Sequence, residues 1–212
     1  MRLFRQSVVS LAMMLGAMTA SAPALAAGDL LVAPTRVVLD GARGTEVILN
    51  NIGSDTATYR ISLELKRMNP DGSLDDVDQA TANEIEKAAL AMITYAPRRV
   101  TLPPNVPQSI RIGIRPPQGL PDGEYRAHML FRAIPEARPV VATPAEGAKG
   151  VSIALTPIYG VTIPIIVRQG SLKATAAISG VARETTPDGL PGLALNLERK
   201  GVRSTFGRIR IL

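Results

Sequence analysis

The chain has 212 residues, is 46% hydrophobic and 20% charged, and carries a formal net charge of +6, a composition that supports one or two packed domains and excludes outright disorder. It contains no Cys, no Trp and one His, which removes disulfides, thiol nucleophiles and Cys-based zinc sites and leaves any imidazole chemistry to His128. Aromatic residues make up 3% of the chain, too few stacking platforms for the basic charge to indicate a nucleic-acid partner.

At the amino end, Arg2 and Arg5 precede an apolar run from Val8 to Met18, small residues and Ala24-Leu25-Ala26. This pattern predicts a secretory signal peptide over residues 1–26 with an A-x-A cleavage site. A membrane anchor needs about 18 to 20 apolar residues, whereas Thr19, Ser21 and Pro23 interrupt this run. The expected product is exported, soluble and not inserted in a membrane, and without Cys its domains rest on packing alone.

From Leu31 onward the hydrophobic period is two, the mark of strands with one buried face. Val47 and Leu49, then Tyr59, Ile61, Leu63 and Leu65, then Ile110, Ile112 and Ile114, then Tyr125, Ala127, Met129, Phe131 and Ala133 alternate with polar or small neighbours. Turn chemistry separates them at Asp40-Gly41, Ile52-Gly53, Pro70-Asp71-Gly72, Pro103-Pro104-Asn105 and Pro121-Asp122-Gly123. About seven short strands at this spacing predict a β-sandwich of the immunoglobulin type.

One segment departs from that period. Thr81 with Glu84 predicts a capping box, and Ile85, Ala88, Ala89, Met92 and Ile93 follow at helical spacing, so an amphipathic helix is expected from Ala82 to Met92 within an insertion at about 79–93. Acids concentrate from Asp71 to Glu86, while the bases elsewhere alternate along strands, a pattern read as solvated outer faces or as an electrostatic partner surface. The stretch 137–150, rich in Ala, Pro and Gly, predicts a flexible loop. Beyond Arg168, alternation over Leu172 to Val181 and Leu193 to Leu197, joined through Thr186-Pro187-Asp188-Gly189, predicts a second β domain over 169–212. An immunoglobulin-like domain takes about 100 residues, so this second one is expected to be incomplete. The fold class is therefore all-β, an immunoglobulin-like sandwich over 27–168 followed by a partial immunoglobulin-like β domain.

Between Val151 and Val167 every odd position is apolar or aromatic. Such a run would extend roughly 55 Å at about 3.3 Å per residue, far beyond an ordinary strand. Pro157 and Pro164 donate no N–H, which places the run at a sheet edge. Three readings follow: two consecutive core strands broken at Pro157 or Gly160, an uncontrolled sticky edge, or a strand kept for a partner's sheet.

Three motifs in chain order bear on the choice. Thr35-Arg36-Val37-Val38-Leu39-Asp40-Gly41 resembles the T-R-x-x-[FL]-D-G first strand of the periplasmic pilus-assembly chaperones, the PapD-like family. Glu124 with Arg132-Ala133-Ile134-Pro135 resembles that family's E…R-x-I-P signature. Ser152-Ile153-Ala154-Leu155 followed by Ile163-Pro164-Ile165-Ile166-Val167-Arg168 resembles its seventh strand. The resemblance implies two immunoglobulin-like domains, a seventh strand lent to pilus or fimbrial subunits that lack one, and an outer-membrane usher-type platform that receives them. It implies that Arg36 holds the subunit's terminal carboxylate and that Val151, Ile153 and Leu155 are the lent side chains. The family's cleft Lys does not carry over, since its position falls on Pro164 or Thr162; Arg168 is a candidate replacement. Arg36 also has a plainer reading, a surface base beside Asp40.

Other functions fit less well. His128 lies at an even position beside Arg126 on a strand, where histidines mostly pack or face solvent, and no nucleophile elbow, phosphate loop or metal-ligand spacing is present. The sequence thus predicts no enzyme, no cofactor and no metal. Asp75, Asp76 and Asp78 lack the Gly and bidentate Glu of a calcium loop and read as a solvated acidic loop. The structural alternative is an immunoglobulin-like pilin, adhesin or envelope module that receives strands, but a receiver lacks its seventh strand, which here is overlong.

Overall fold

The computed structural model describes residues 30–41, 43–135 and 158–211. In chain order the elements are β1 (Leu30–Ala33), β2 (Val37–Asp40), β3 (Thr45–Asn51), β4 (Ala57–Met68), β5 (Leu74–Val77), helix α1 (Glu84–Met92), β6 (Ile93–Ala96), β7 (Arg99–Leu102), β8 (Pro107–Ile114), β9 (Gly123–Ile134), β10 (Gly160–Gln169), β11 (Ala174–Thr185) and β12 (Pro191–Gly201). The all-β immunoglobulin-like class is therefore observed, as two facing sheets followed by a separate two-stranded sheet.

One sheet has the order β1-β3-β8-β6 and the other β2-β10-β9-β4-β5, with β7 beside β4 on the edge that β5 shares. Neighbours are antiparallel except β2 and β10, which run parallel. The short β1 and β2 belong to different sheets, so the chain changes sheet across Pro34-Thr35-Arg36. That crossing fixes the place of Arg36.

Alternation decides which side chains meet between the sheets. In β2, β4, β9 and β10 the odd positions point inward: Val37, Leu39, Tyr59, Ile61, Leu65, Tyr125, Ala127, Met129, Phe131, Ile163, Ile165 and Val167 are all buried in the common core. The facing sheet supplies Val32, Val47, Leu49, Ile93, Ile110, Ile112 and Ile114. The even positions of β2, β4, β9 and β10 form the outer face, and it is there that the charged residues Asp40, Glu64, Lys66, Glu124, Arg126 and Arg168 lie.

Helix α1 starts two residues later than the sequence spacing predicts. Its N-cap is Asn83, whose side chain accepts from the Glu86 N–H while Glu86 accepts from the Asn83 N–H, so the capping box is Asn83/Glu86 instead of Thr81/Glu84. The two frames share the same x-x spacing, and Asn caps at least as well as Thr. Ala89 and Met92 enter the core and Ile85 stays 58% exposed, so the helix closes one end of the sandwich with a narrower apolar face than expected. Arg67 grips Glu86 with Nε and Nη2 at 3.0 and 2.8 Å, tying β4 to the helix.

The long apolar run also needs correction. β10 is not an edge strand along its whole length: β9 pairs it from Gly160 to Gln169, and β2 covers its other side over Ile165–Arg168. Ile163, Ile165 and Val167 are ordinary core of their own sandwich, so this half of the surplus is hidden. The edge beyond β2, Gly160 to Pro164, is unpaired among the described residues, and Pro164 sits at its limit. Tyr159, just before it, is 47% exposed.

The second unit is a hairpin of β11 and β12 whose turn carries Gly189 at φ 80°, a left-handed position that glycine adopts without a Cβ penalty. Ile178, Val181, Leu193 and Leu197 on this hairpin are exposed.

Candidate functional site

Arg36 sits where the chain crosses between sheets, one residue before β2. Val37 and Leu39 are held in the core, which leaves Arg36 and Val38 on the outer face. On the strand alongside, Arg168 closes the β2–β10 pairing opposite Asp40 and faces Glu124 across the β9–β10 register. Arg126 lies one outward step along β9 from Glu124, opposite Ile166. The residues after β12 return to this place: Arg36 and Arg168 line a cavity of about 540 Å³ together with Val38, Arg203, Ser204 and Phe206.

The electrostatics follow from this crowding. The Arg36 guanidinium is pushed below its ordinary value by burial and by the like charges of Arg126 and Arg168, with Glu124 opposing them. Its Nη2 donates to Ser204 Oγ at 3.3 Å, and its Cζ lies 5.0 Å from the centre of the Phe206 ring. Its Nε is buried without a hydrogen-bond partner. Arg168 Nη2 donates to the Ser204 carbonyl at 3.3 Å, and its guanidinium lies 3.7 Å from Asp40 and 3.9 Å from Glu124. Glu124 in turn accepts both the backbone N–H and the hydroxyl of Ser204. A cationic recess of this kind is suited to a carboxylate, which a guanidinium takes through two parallel N–H bonds.

Arg36 lines the recess, and Asp40 lies 3.7 Å from the Arg168 guanidinium. Val151, Ile153 and Leu155 lie outside the described residues. Pro164 and Thr162 face His128 and Leu130 further down β10, and Thr162 donates to Glu64 at 3.2 Å, so neither substitutes for the missing cation. Arg168 does stand beside Arg36.

The bases were expected to be spread along strands, yet Arg36, Arg126 and Arg168 converge at one end of the outer face. All three carry even numbers, Arg126 and Arg168 on neighbouring strands and Arg36 just before the next one, a signal readable only with the register. Arg203, Ser204 and Phe206 gave no signal, because nothing in the spacing says where residues after β12 return.

The other candidates hold no site. His128 is 5% exposed with an unpartnered Nδ1, and burial, then Arg126 and Lys66, lower its pKa to about 4, so it is a neutral packed side chain at ordinary pH. Asp76 pairs with Lys66 at 2.5 Å, Asp75 accepts from Asn69, and Asp78 accepts from the Ala80 N–H. Among the described residues no cluster of His, Cys, Asp and Glu is arranged to hold a metal, and no helix is long and apolar enough to cross a membrane.

No family model matches the chain, and no curated protein matches it. Solved structures do. A chain from a chaperone–tip adhesin complex of CFA/I fimbriae biogenesis matches with 13% identity over 80% of this chain and 67% of that one, at a TM-score of 0.47. The E. coli chaperone DraB matches with 15% identity over 74% and 65% of the two chains, at 0.43. The CsuC–CsuE chaperone–tip adhesion subunit pre-assembly complex of Acinetobacter baumannii matches with 12% identity over 84% and 91%, at 0.46. The chain is similar to PapD-like fimbrial chaperones. The chain spans about two thirds of the length of the first two.

Proposed function

We propose that the protein is a periplasmic chaperone that keeps pilus or fimbrial subunits folded by lending them a strand. The observation that carries this reading is the half-covered edge of β10. β2 pairs β10 only from Ile165 to Arg168, and Arg36 is the residue immediately before β2. A partner strand laid along Gly160–Pro164 therefore ends against β2, and if it runs parallel to β10 its terminal carboxylate arrives at Arg36. Arg168 supplies a second guanidinium beside the first.

In sequence, the apolar alternation of this strand extends back to Leu155, Ile153 and Val151. A subunit that lacks a strand exposes unpaired backbone groups and an apolar groove, and a lent strand satisfies both. Each Val, Ile or Leu fully buried in the groove contributes about 1.5–3 kcal/mol. No bond is made or broken, so the activity is binding and not catalysis. Export by the predicted signal peptide and later transfer of the subunit to an outer-membrane usher-type platform complete the proposal. The rival role of strand receiver is disfavoured because β10 is present and fully paired to β9.

The deciding experiment is co-purification from the periplasm followed by size-exclusion chromatography and mass spectrometry. A soluble one-to-one complex with a fimbrial subunit, and absence of the protein from the finished fibre, are expected. Ile153→Asp and Leu155→Asp should leave the free protein folded and abolish capture, and Arg36→Ala should weaken capture with little change in thermal stability. Unfolding of the two Asp variants would make those residues ordinary core and end the strand-lending reading.

A further inference from the structure

The molecule contains a filled guanidinium fork against which Arg36 can be compared. At Arg67 the Nε and Nη2 hydrogens reach the two oxygens of Glu86 at 3.0 and 2.8 Å. At Arg36 the same two nitrogens are served unequally: Nη2 donates to the neutral hydroxyl of Ser204 at 3.3 Å, and Nε is buried with no partner. A buried donor left unpaired is destabilising, and a charged partner makes bonds roughly twice as strong as a neutral one. Arg36 thus holds a weak partner where a carboxylate would be a stronger one.

What covers the fork is held loosely on one side and firmly on the other. Phe206 lies on the guanidinium face but is itself 82% exposed, and an exposed contact of this type contributes about 0.5–1 kcal/mol. Ser204 is anchored elsewhere as well, its N–H and hydroxyl on Glu124 and its carbonyl on Arg168. Thr205 and Phe206 can therefore leave the fork while Ser204 keeps its backbone contacts.

We propose that the Phe206 ring forms a displaceable cover on the Arg36 fork, seated in the free protein and released when a carboxylate takes Nε and Nη2 together. The cover rests on the reading of Arg36 as a carboxylate anchor and adds that the anchor is closed until its ligand arrives. It makes client binding a competition with the protein's own chain.

The absence of Cys allows a single thiol to be placed in the full chain as Ile209→Cys, a position 51% exposed, and labelled with a fluorophore. Phe206→Ala, at an exposed position, should lower the anisotropy of this label without ligand. Acetate titrated at constant ionic strength against chloride should lower it in the parent protein toward the Phe206→Ala value. Acetate should also bind the Phe206→Ala protein about two- to fivefold more tightly, the factor matching the lost exposed ring contact. Equal anisotropy of the two proteins, or acetate binding that leaves the label unmoved, overturns the cover. If acetate releases it but a synthetic strand peptide with a free terminal carboxylate binds no better than its amide, the cover stands and the chaperone's carboxylate anchor falls.

Discussion

Glu124 and Arg168 face each other across the β9–β10 register with Oε1 3.9 Å from Nε, and their side chains are only 12% and 11% exposed. Glu124 is the buried counter-charge beside the recess lined by Arg36 and Arg168, and the charge of Arg126 acts on both Glu124 and Arg36. Burial by itself raises its carboxyl, but the two Ser204 hydrogen bonds and the charges of Arg168 and Arg126 outweigh burial and leave it below the ordinary carboxylate range. Because the folded value is the lower one, this stabilisation is present above the unfolded carboxylate range and is lost as pH falls through the folded value. Glu124→Gln removes the charge and keeps the shape, and at neutral pH it should cost roughly 1–3 kcal/mol in urea unfolding. The difference from the parent should shrink at strongly acid pH, where the parent protonates too; a constant difference would assign the loss to packing.

His128 predicts a second pH effect in a different window. Its folded pKa of about 4 lies below the ordinary 6.5 because of burial first, then Arg126 and Lys66. Protons therefore bind preferentially to the unfolded chain between these values, so stability is complete above 6.5 and declines as pH falls toward 4. The decline attributable to this ring is at most about 3 kcal/mol. Urea unfolding at intervals across that window should show the slope in the parent and a clearly flatter one in His128→Leu, which cannot titrate. Equal slopes would place the acid sensitivity in the carboxylates alone.

The fold was legible because one rule governs four neighbouring strands: odd residues of β2, β4, β9 and β10 point to the core and even residues away from it. Tyr59, Ile61, Met129 and Phe131 could be assigned from alternation without coordinates. The same rule does not give register, and register is what brings Arg168 to Glu124 and Asp40 and sets Arg126 one step away. The return of Ser204 to Arg36 joins residues separated by 168 positions and is set by tertiary packing alone. The length of the apolar run misled in a specific way: Ile163, Ile165 and Val167 alternate as a lent strand would, but alternation cannot say whose core receives them.

That division within the run is itself testable. Ile165 is fully buried, whereas Tyr159 is 47% exposed. Ile165→Ala should cost about 2–5 kcal/mol, the range for emptying a filled core position. Tyr159→Ala should change stability by no more than about 0.5 kcal/mol, as at exposed sites generally. Chemical denaturation of the two variants separates them, and a comparable loss at both would extend the protein's own core back past Gly160.

The start of the helix provides the last prediction. Asn83 gives its side chain to the Glu86 N–H, and Glu86 serves both the Asn83 N–H and Arg67. Thr81 instead donates its hydroxyl to the Asp78 carbonyl at 3.2 Å, outside the helix. Asn83→Ala should therefore cost about 1 kcal/mol, within the 0.5–2 kcal/mol range of lost N-caps. Thr81→Ala should stay within about 0.5 kcal/mol. The loss at Asn83 should appear as global destabilisation and not as local fraying, because Ala89 and Met92 on the same short helix are fully buried between the sheets. Amide hydrogen exchange distinguishes the two: faster exchange confined to the first helical turn would show that the helix can loosen without the sandwich, whereas a matching increase in β9, against which the helix packs, would show that it closes the core.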